Sequence, residues 1–305
     1  METGIAVESA MTQKLLSILI LTHNHGKFLE GCLESIAKHV SCPFEVILID
    51  NASVENISNS TTTQYPWLKV IRSERNLGFN AGNNLAARHA NGKYLLLLNI
   101  DTLLLTDVVP AIRLLQSDLK IGVVGAQAYG ASHDLRPSAG RFPKARRLWL
   151  FRSLWTKPKV AYGPTGWHAF KADWVEGSFF VTSLDHWRAI GGFDEKNFLY
   201  GNDVEFCRST SELGLAVVQC TEAKYVHFCG YESSRMGNLY AGFRDYHKKF
   251  STPIERQMAD LVLRVGLIAR VVGYGLWYGL TKNEGIGQKF QRFAEVRRNW
   301  AHLTP

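Results

Sequence analysis

The sequence predicts an α/β protein: a doubly wound, mostly parallel sheet flanked by helices, with a C-terminal helical extension. Three observations carry that prediction. Short apolar runs ending on polar residues recur through the first hundred residues, as expected of strands buried on both faces of a parallel sheet. Helical stretches separate them, and a β-α-β-α series winds helices onto both sides of a sheet. The end of the chain then changes in kind: residues 235–305 carry 12 Lys+Arg against 5 Asp+Glu, a net of +7, whereas residues 1–234 carry 23 against 22.

Taken in order, residues 1–14 (METGIAVESAMTQK) form an N-terminal tail with no basic stretch leading into an apolar one. No secretory signal is expected, and the catalytic part is placed in the cytoplasm. Strands are predicted over 16–22 (LSILILT), 44–50 (FEVILID), 68–73 (LKVIRS) and 93–98 (KYLLLL), with helices over 27–40, 54–64 and 80–90 between them. Residues 136–171 hold nine basic side chains and no acidic one, with Trp149, Phe151, Trp155 and Trp167 among them. Gly and Pro punctuate this stretch, which reads as a long loop over the sheet. A strand over 174–182, a helix over 203–213 and a strand over 215–220 follow. The expected division is a catalytic domain over 15–235 and a basic helical extension over 236–305.

Length and composition bound the function. A chain of 305 residues buries a core without disulfide or metal support, and 46% hydrophobic with 20% charged residues argues against disorder, collagen-like fibre and coiled coil. The five cysteines (Cys32, Cys42, Cys207, Cys220, Cys229) are odd in number and show no C-x-x-C spacing. That fits a reducing compartment better than a disulfide framework or a zinc ribbon. Without a signal sequence, the N-x-S/T triplets at Asn51, Asn56 and Asn59 are read as coincidence. No G-x-G-x-x-G follows the first strand and no G-x-x-x-x-G-K-[ST] occurs, which disfavours a Rossmann dehydrogenase and a P-loop nucleotide triphosphatase. A nucleotide held by carboxylates stays open. In sheets of this class it binds where loops converge beyond the carboxyl ends of the strands, and Thr22-His23-Asn24, Asp50-Asn51 and Asn99-Ile100-Asp101 close three of the runs.

The tail predicts a surface role. Residues 258–280 (MADLVLRVGLIARVVGYGLWYGL) are apolar apart from Asp260, Arg264 and Arg270, and the two arginines fall about 120° apart around a helix. A membrane span would hold Arg270 near mid-bilayer at a cost of roughly 2.5 kcal/mol or more, whereas a helix lying in the interface lets both arginines reach water. A hairpin packed on the catalytic domain or on a twin subunit is the alternative. Farther on, Ile286, Phe290, Phe293, Val296 and Trp300 recur at helical spacing while Lys289, Arg292 and Arg298 take other faces, the pattern of a basic amphipathic helix. An anionic membrane surface is the expected partner, with a homodimer as the second reading and no nucleic acid.

The strand ends, read together, resemble a family. LSILILTHNHGKFLEGCLESI, FEVILIDNAS, RNLGFNAGNN, GKYLLLLNIDTLL, GSFFVTSLDHWRAIGGFDEKNFLYGNDVEFCR and VHFCGYESSR are similar, in that order, to the motifs of the family 2 nucleotide-sugar glycosyltransferases. The resemblance covers about residues 15–235 and is greatest to the bacterial branch of rhamnosyl- and galactofuranosyltransferases that build cell-surface glycans. It implies a GT-A fold, a Mg²⁺ or Mn²⁺ ion and inversion at the anomeric carbon, with a nucleotide-diphosphate sugar as donor and a lipid-linked or polysaccharide acceptor at the inner face of the cell membrane.

The residues agree with such chemistry, which must grip a base and ribose, neutralise a diphosphate and take a proton from the acceptor. Asp50 can accept from a base or ribose, or else cap the turn that follows. Thr22, Asn24 and Asn51 share that strand-end neighbourhood. The resemblance places Arg75, Asn76 and Gly78 at the nucleotide, Gly78 by allowing close backbone approach. It puts Asn99-Ile100-Asp101 at the metal-binding D-x-D motif with Asn for the first acid, so that Asp101 is the expected ligand and Asn99 a lesser contact. His227 falls where relatives place a metal-ligating histidine, and an imidazole donor favours manganese. Asp203 matches the general base. Family members usually carry Glu-Asp there, and Asn202 replaces the Glu; Glu205 lies about 200° round the helix from Asp203 and is expected to be a supporting carboxylate. Trp174, Glu176 and Gly177 correspond to the acceptor-side floor, Trp174 either as a platform for a sugar ring or as core.

Two other functions compete. A nucleotidyltransferase also sets a carboxylate-metal site on an α/β sheet, although Gly-Gly-Phe-Asp and Asn-Asp-Val-Glu speak against it. An inactive carbohydrate- or nucleic-acid-binding paralogue is suggested by Asn99, Asn202 and the basic tail. Asp50, Asp101, Asp203 and His227 together favour an enzyme. The sugar is not legible in the sequence, and rhamnose is the first expectation by resemblance.

Overall fold

The computed structural model describes residues 14–55, 57, 59–148, 169–228 and 236–303. Its main sheet opens with four parallel strands, β1 (Leu16–Thr22), β2 (Phe44–Asn51), β3 (Leu68–Ser73) and β4 (Tyr94–Leu98). Next come β5 (Thr102–Leu104), β6 (Ile121–Tyr129), β7 (Leu135–Arg136), β8 (Ala139–Gly140), β9 (Ala169–Ala172), β10 (Trp174–Val175), β11 (Phe179–Ser183) and β12 (Ala216–His227). The order across the sheet is β3-β2-β1-β4-β11-β6-β12-β5, with β7 on β6 and β9 on β12. Among the described residues β8 and β10 stand apart, as a two-stranded sheet. The sheet flanked by helices is as expected, but it is mixed rather than mostly parallel. Strands β1 to β4 and the β6–β12 pair run parallel, β11 is inserted antiparallel between β4 and β6, and β5, β7 and β9 add antiparallel at β12 and β6.

The apolar runs bury both faces, as their continuity required. Leu16, Ile18 and Ile20 of β1 point into a core shared with the helices Leu29–His39 and Val109–Ser117. Leu19 points into the opposite core, shared with the helices Gly78–Arg88, Leu184–Ile190 and Asn202–Glu212. Parallel register sets Thr22 beside Asp50, so the strand ends line up along one edge where the loops emerge.

Three sequence expectations change. The strand expected over 174–182 is two strands in two sheets, because the polar Glu176-Gly177-Ser178 breaks the run and turns the chain; Phe179 N–H donates to Glu176 O at 3.4 Å. The strand expected over 215–220 continues to His227 through a register shift between Cys220 and Lys224. The helix expected over 54–64 is confined to Asn59–Gln64. The loop over 136–171 holds β7, β8 and the short helix Ala145–Leu148 before residue 149; Trp149, Phe151, Trp155 and Trp167 lie outside the described residues. The helices Val109–Ser117, Leu184–Ile190 and Met236–Phe250 and the strand β6 had no counterpart in the sequence reading.

The C-terminal segment is a hairpin of two helices, Pro253–Thr281 and Glu284–Arg298. Thr252 and Glu255 form a reciprocal capping box at its start, and Lys282 in the left-handed conformation ends the long helix. Ala259, Leu263, Leu267 and Val271 of the long helix pack with Phe293, Val296 and Trp300 of the second, and with Leu148 and Tyr240 of the preceding chain. No helix among the described residues is long and apolar enough to cross a membrane. The two arginines do not both reach out from one stripe: Arg270 folds back and donates to Gly266 O at 2.8 Å, while Arg264 pairs with Asp260 at 2.6 Å.

The helix Met236–Phe250 ties this hairpin to the sheet. Tyr240 belongs to the hairpin core and Tyr246 to the core beneath β1 and β2. Lys249 Nζ lies 2.8 Å from Glu205, 2.9 Å from Asp194 and 2.5 Å from Asp245.

Candidate active site

Beyond the carboxyl ends of β1, β2 and β4, the loops close around a cleft of about 310 Å³. Ten of the residues singled out from the sequence line it: Asn51, Asn76 and Gly78 on one wall, Asn99, Asp101 and His227 at the floor, and Glu176, Gly177, Asn202 and Asp203 opposite. The antiparallel β11 makes this convergence possible, since the turn that feeds its amino end delivers Glu176 and Gly177 to the edge where the parallel strands finish.

The first wall is a net of amides. Asn51 is 2% exposed; its Nδ2 donates to Asn76 Oδ1 at 2.8 Å and to Gly78 O at 3.4 Å, and its Oδ1 accepts from Leu77 N–H at 2.7 Å. A single side chain therefore fixes the loop that leads into the helix Gly78–Arg88. Gly78 has φ +79°, and a Cβ there would fall 2.6 Å from the Phe198 ring, so both conformation and space demand glycine.

Thr22, Asn24, Asp50 and Arg75 are not among the cleft's lining residues. Asp50 accepts from Arg72 and from Ser53 N–H at 3.0 Å, the turn-capping arrangement, and stands behind the wall. Asn24, at φ +59°, accepts from Val54 N–H at 2.8 Å and donates its own N–H to Ser53 Oγ at 3.0 Å. It joins the loop after β1 to the loop after β2. Thr22 is buried beside them and Arg75 is exposed. Trp174 is core: it is 4% exposed and its Nε1 donates to Arg141 O at 3.0 Å.

At the floor, antiparallel pairing of β5 with β12 matches His227 with Thr102 and so sets the histidine beside Asp101. His227 Nε2 lies 3.4 Å from Asp101 Oδ2 and 3.5 Å from Asn99 Nδ2, and its Nδ1 lies 3.7 Å from Glu176 Oε1. Burial disfavours the imidazolium, but Asp101 and Glu176 outweigh it and hold the pKa above the ordinary value. Among the described residues no group of three or more His, Cys, Asp or Glu is arranged to hold a metal. Asp101 and His227 are two donors close enough for one ion to touch both, and hard divalent ions complete their shells with phosphate and water.

Asp203 occupies the first turn of the helix Asn202–Glu212. Its Oδ2 accepts from Gly177 N–H at 3.1 Å and its Oδ1 from Val204 N–H at 2.9 Å, so the carboxylate is held by the turn before β11 and by its own helix. Burial pushes its pKa up to about 6, the two backbone N–H bonds pull it down, and Glu176 adds repulsion. A carboxylate with a pKa near neutrality is suited to accepting a proton. Glu205 points away, as the helical angle required: it is 6% exposed and bound to Lys249, and burial raises it to about 7.

The cleft also holds residues that were not picked out as site residues: His23, His25, Phe198, Leu199, Tyr200 and Asn238. The histidines follow β1, where the convergence of loops could have flagged them. Phe198–Tyr200 precede Asn202 in a turn braced by the fully buried Asn197, whose Nδ2 donates to Tyr200 O at 2.8 Å. Asn238 arrives from the helix Met236–Phe250, and no local pattern announces it.

The chain is similar to known glycosyltransferases. The profile of glycosyl transferase family 2 matches residues 17–179, just over half the chain. A hexosyltransferase of low-salt glycan biosynthesis, Agl10 of Haloferax volcanii, is 21% identical over 77% of this chain and 74% of its own length. The N-acetylglucosaminyl-diphospho-decaprenol L-rhamnosyltransferase of Mycobacterium tuberculosis is 21% identical over 72% of this chain and 78% of its own. An uncharacterized glycosyltransferase of Haemophilus influenzae reaches 34% identity, over 87 residues that make up 29% of that protein. Among solved structures, GalNAc-T7 with UDP, GalNAc and Mn²⁺ superposes with a TM-score of 0.59 at 18% identity, covering 72% of this chain and 44% of that one. The mannosyltransferase PcManGT of Pyrobaculum calidifontis, in complex with GDP-Man and Mn²⁺, gives 0.55 at 14% identity over 92% and 84%. These likenesses establish a GT-A fold, and the nucleotidyltransferase reading gives way. Sheet order, cleft and sequence lead to one conclusion: the chain belongs to glycosyl transferase family 2 and is a glycosyltransferase.

Proposed function

We propose that the chain is an inverting, divalent-metal-dependent transferase that moves a sugar, rhamnose as first choice, from a nucleotide diphosphate to a lipid-linked or polysaccharide acceptor at the cytoplasmic face of the cell membrane. The observation that carries this reading is Asp203: one raised carboxylate, fixed by two backbone N–H groups, faces the same cleft as the Asp101–His227 pair. Likeness to the mycobacterial rhamnosyltransferase supports the choice of sugar.

Asp101 and His227 would hold a Mg²⁺ or Mn²⁺ ion, which when bound offsets the charge of the donor diphosphate and of the departing nucleotide. The wall of Asn51, Asn76 and Gly78 is assigned to the nucleotide, with Asn99 as a further contact. Asp50, Asn24, Thr22 and Arg75 serve the donor by supporting that wall or bordering it. On the other side Asp203 accepts the proton of the acceptor hydroxyl as that oxygen attacks, while Glu176, Gly177 and Asn202 shape the acceptor end. Inversion follows from a single displacement with the base opposite the leaving nucleotide.

The test is hydrolysis of a panel of nucleotide sugars by the full chain, with Mg²⁺ or Mn²⁺ and with excess chelator. Release of nucleoside diphosphate from one donor class, stopped by chelator and by Asp101→Ala, is expected. Full turnover in chelator would remove the metal from the reading.

A further inference from the structure

The long C-terminal helix buries one face and exposes another that is just as apolar. Ile254, Met258, Leu261, Val265, Ile268, Val272, Leu276 and Leu280 are all between 41% and 87% exposed. They recur every three or four residues, so they form one stripe along the helix, about 39 Å from end to end. Trp277 stands near its far end, while Tyr278 packs against Gly287 of the second hairpin helix. A soluble surface does not carry a contiguous apolar strip of this length without an occupant.

Beside the stripe runs a groove of about 630 Å³ between the helices Met236–Phe250 and Pro253–Thr281, with Leu261 on its border. Arg244, Lys248, Arg256 and Arg264 line it, against Asp245 and Asp260. Both acids are already engaged, Asp245 by Lys249 at 2.5 Å and Asp260 by Arg264 at 2.6 Å and Arg244 at 3.3 Å. The groove is therefore net positive, next to a strip that is net apolar.

Two occupants suit the strip, and charge decides between them. The spacing of three and four would serve a coiled-coil seam with a second copy. A twofold pairing, however, would bring a tail of net charge +7 against its twin and face one basic groove with another. An anionic bilayer satisfies both features at once: the strip enters the acyl boundary, the groove meets headgroup phosphates, and Trp277 takes the interfacial level. We infer that the exposed face of the helix Pro253–Thr281 and the basic groove beside it form a docking surface for an anionic lipid bilayer. The helix Met236–Phe250 carries Asn238 into the cleft and Arg244 and Lys248 into the groove, so the docked enzyme meets a lipid-carried acceptor from the surface it rests on. This inference rests on the proposed function for the acceptor and supplies the face that would meet it.

The experiment uses the full chain and vesicles of phosphatidylcholine alone or mixed in equal parts with phosphatidylglycerol, with donor hydrolysis measured in parallel. The chain should co-sediment with the mixed vesicles and be released by salt. Leu261→Glu with Ile268→Glu, both at exposed positions, should lower that partition about tenfold or more. Lys248→Glu with Arg256→Glu should remove about tenfold from the mixed vesicles and little from the neutral ones. Circular dichroism checks that each variant keeps its helix content. Failure of the unaltered chain to bind vesicles, or equal binding by the Leu261/Ile268 variant, overturns the inference. So does a dimer in solution that this variant splits to monomer, which would assign the strip to a second copy. Hydrolysis that persists through such a failure leaves the proposed function standing, and vesicle binding without hydrolysis of any donor does the reverse.

Discussion

On the β1–β2 side of the cleft, polar groups answer one another. Asn51 holds Asn76, Leu77 and Gly78, Asn24 holds Ser53 and Val54, and Asp50 holds Arg72 and Ser53. On the β11–β12 side they do not balance: burial raises Asp203 to about 6, and Glu176 lies near both Asp203 and His227. The first side is a hydrogen-bonded scaffold held together by its own residues. The second stores electrostatic cost at the carboxylate to which the proposed function gives the proton transfer, and such a cost is how a carboxylate is made useful near neutral pH. Under the proposed function the difference assigns recognition and chemistry to opposite walls, and each wall should then be alterable without the other.

Asp203→Asn is the largest test of that division. Transfer should fall by about 10²–10⁴-fold while donor affinity is kept, measured by single-turnover transfer and donor titration. Unchanged turnover would move the base elsewhere. In the unaltered enzyme kcat/KM should drop about tenfold per pH unit below about 6 and level off above it, since Asp203 as the proposed base works ionised. Stability runs the other way. The native state binds this proton more tightly than the unfolded chain, so the contribution is complete below about pH 4 and is lost as pH rises through about 6. The always-neutral Asn variant should therefore melt higher than the parent above pH 6, by about 1–2 kcal/mol once one lost backbone hydrogen bond is deducted, and the advantage should shrink toward pH 4.

Lys249→Met probes the support behind the chemical wall. It leaves Glu205 and its companions Asp194 and Asp245 without their shared cation and should cost about 3 kcal/mol, read as a shift in urea midpoint. Glu205→Gln added to it should recover part of the loss. A smaller effect is expected from Asn51→Ala on the scaffold wall. Losing the acceptor for Leu77 N–H should loosen the loop and raise donor KM by about tenfold, with kcat nearly kept. A matching fall in kcat would show that the two walls are not separable.

The scaffold wall was the more legible half. Strands β1 to β4 announce themselves because continuous apolar runs leave no other reading, and their ends expose Asn51 and Asp101 as polar punctuation. What the sequence could not show is which side of the wall a polar residue faces. Asp50 and Asn51 are neighbours, and only the structure turns Asn51 to the cleft and Asp50 to Arg72. The chemical wall was legible through motifs and not through periodicity. Asp203 and His227 stood out by resemblance, while β6 (IGVVGAQAY), interrupted by glycine and glutamine, gave no clear period. Glu176-Gly177-Ser178 hid its turn inside an apolar stretch, and Asn238 enters the cleft by long-range packing that no local signal encodes.

Gly242 sits in the middle of the helix Met236–Phe250, against the turn that leads into Asn202 and Asp203. A Cβ there would come 2.9 Å from Tyr200 O, and Tyr200 and Gly201 are held at positive φ where they meet it. The turn thus has a backstop rather than a free rear side. A chain shortened to the strands and motifs of the catalytic domain would retain every side chain assigned to the chemistry and still lose the surface against which Asp203 is registered. The same contact makes the placement of this helix and the placement of the Asp203 carboxylate a single packing problem, solved at one glycine.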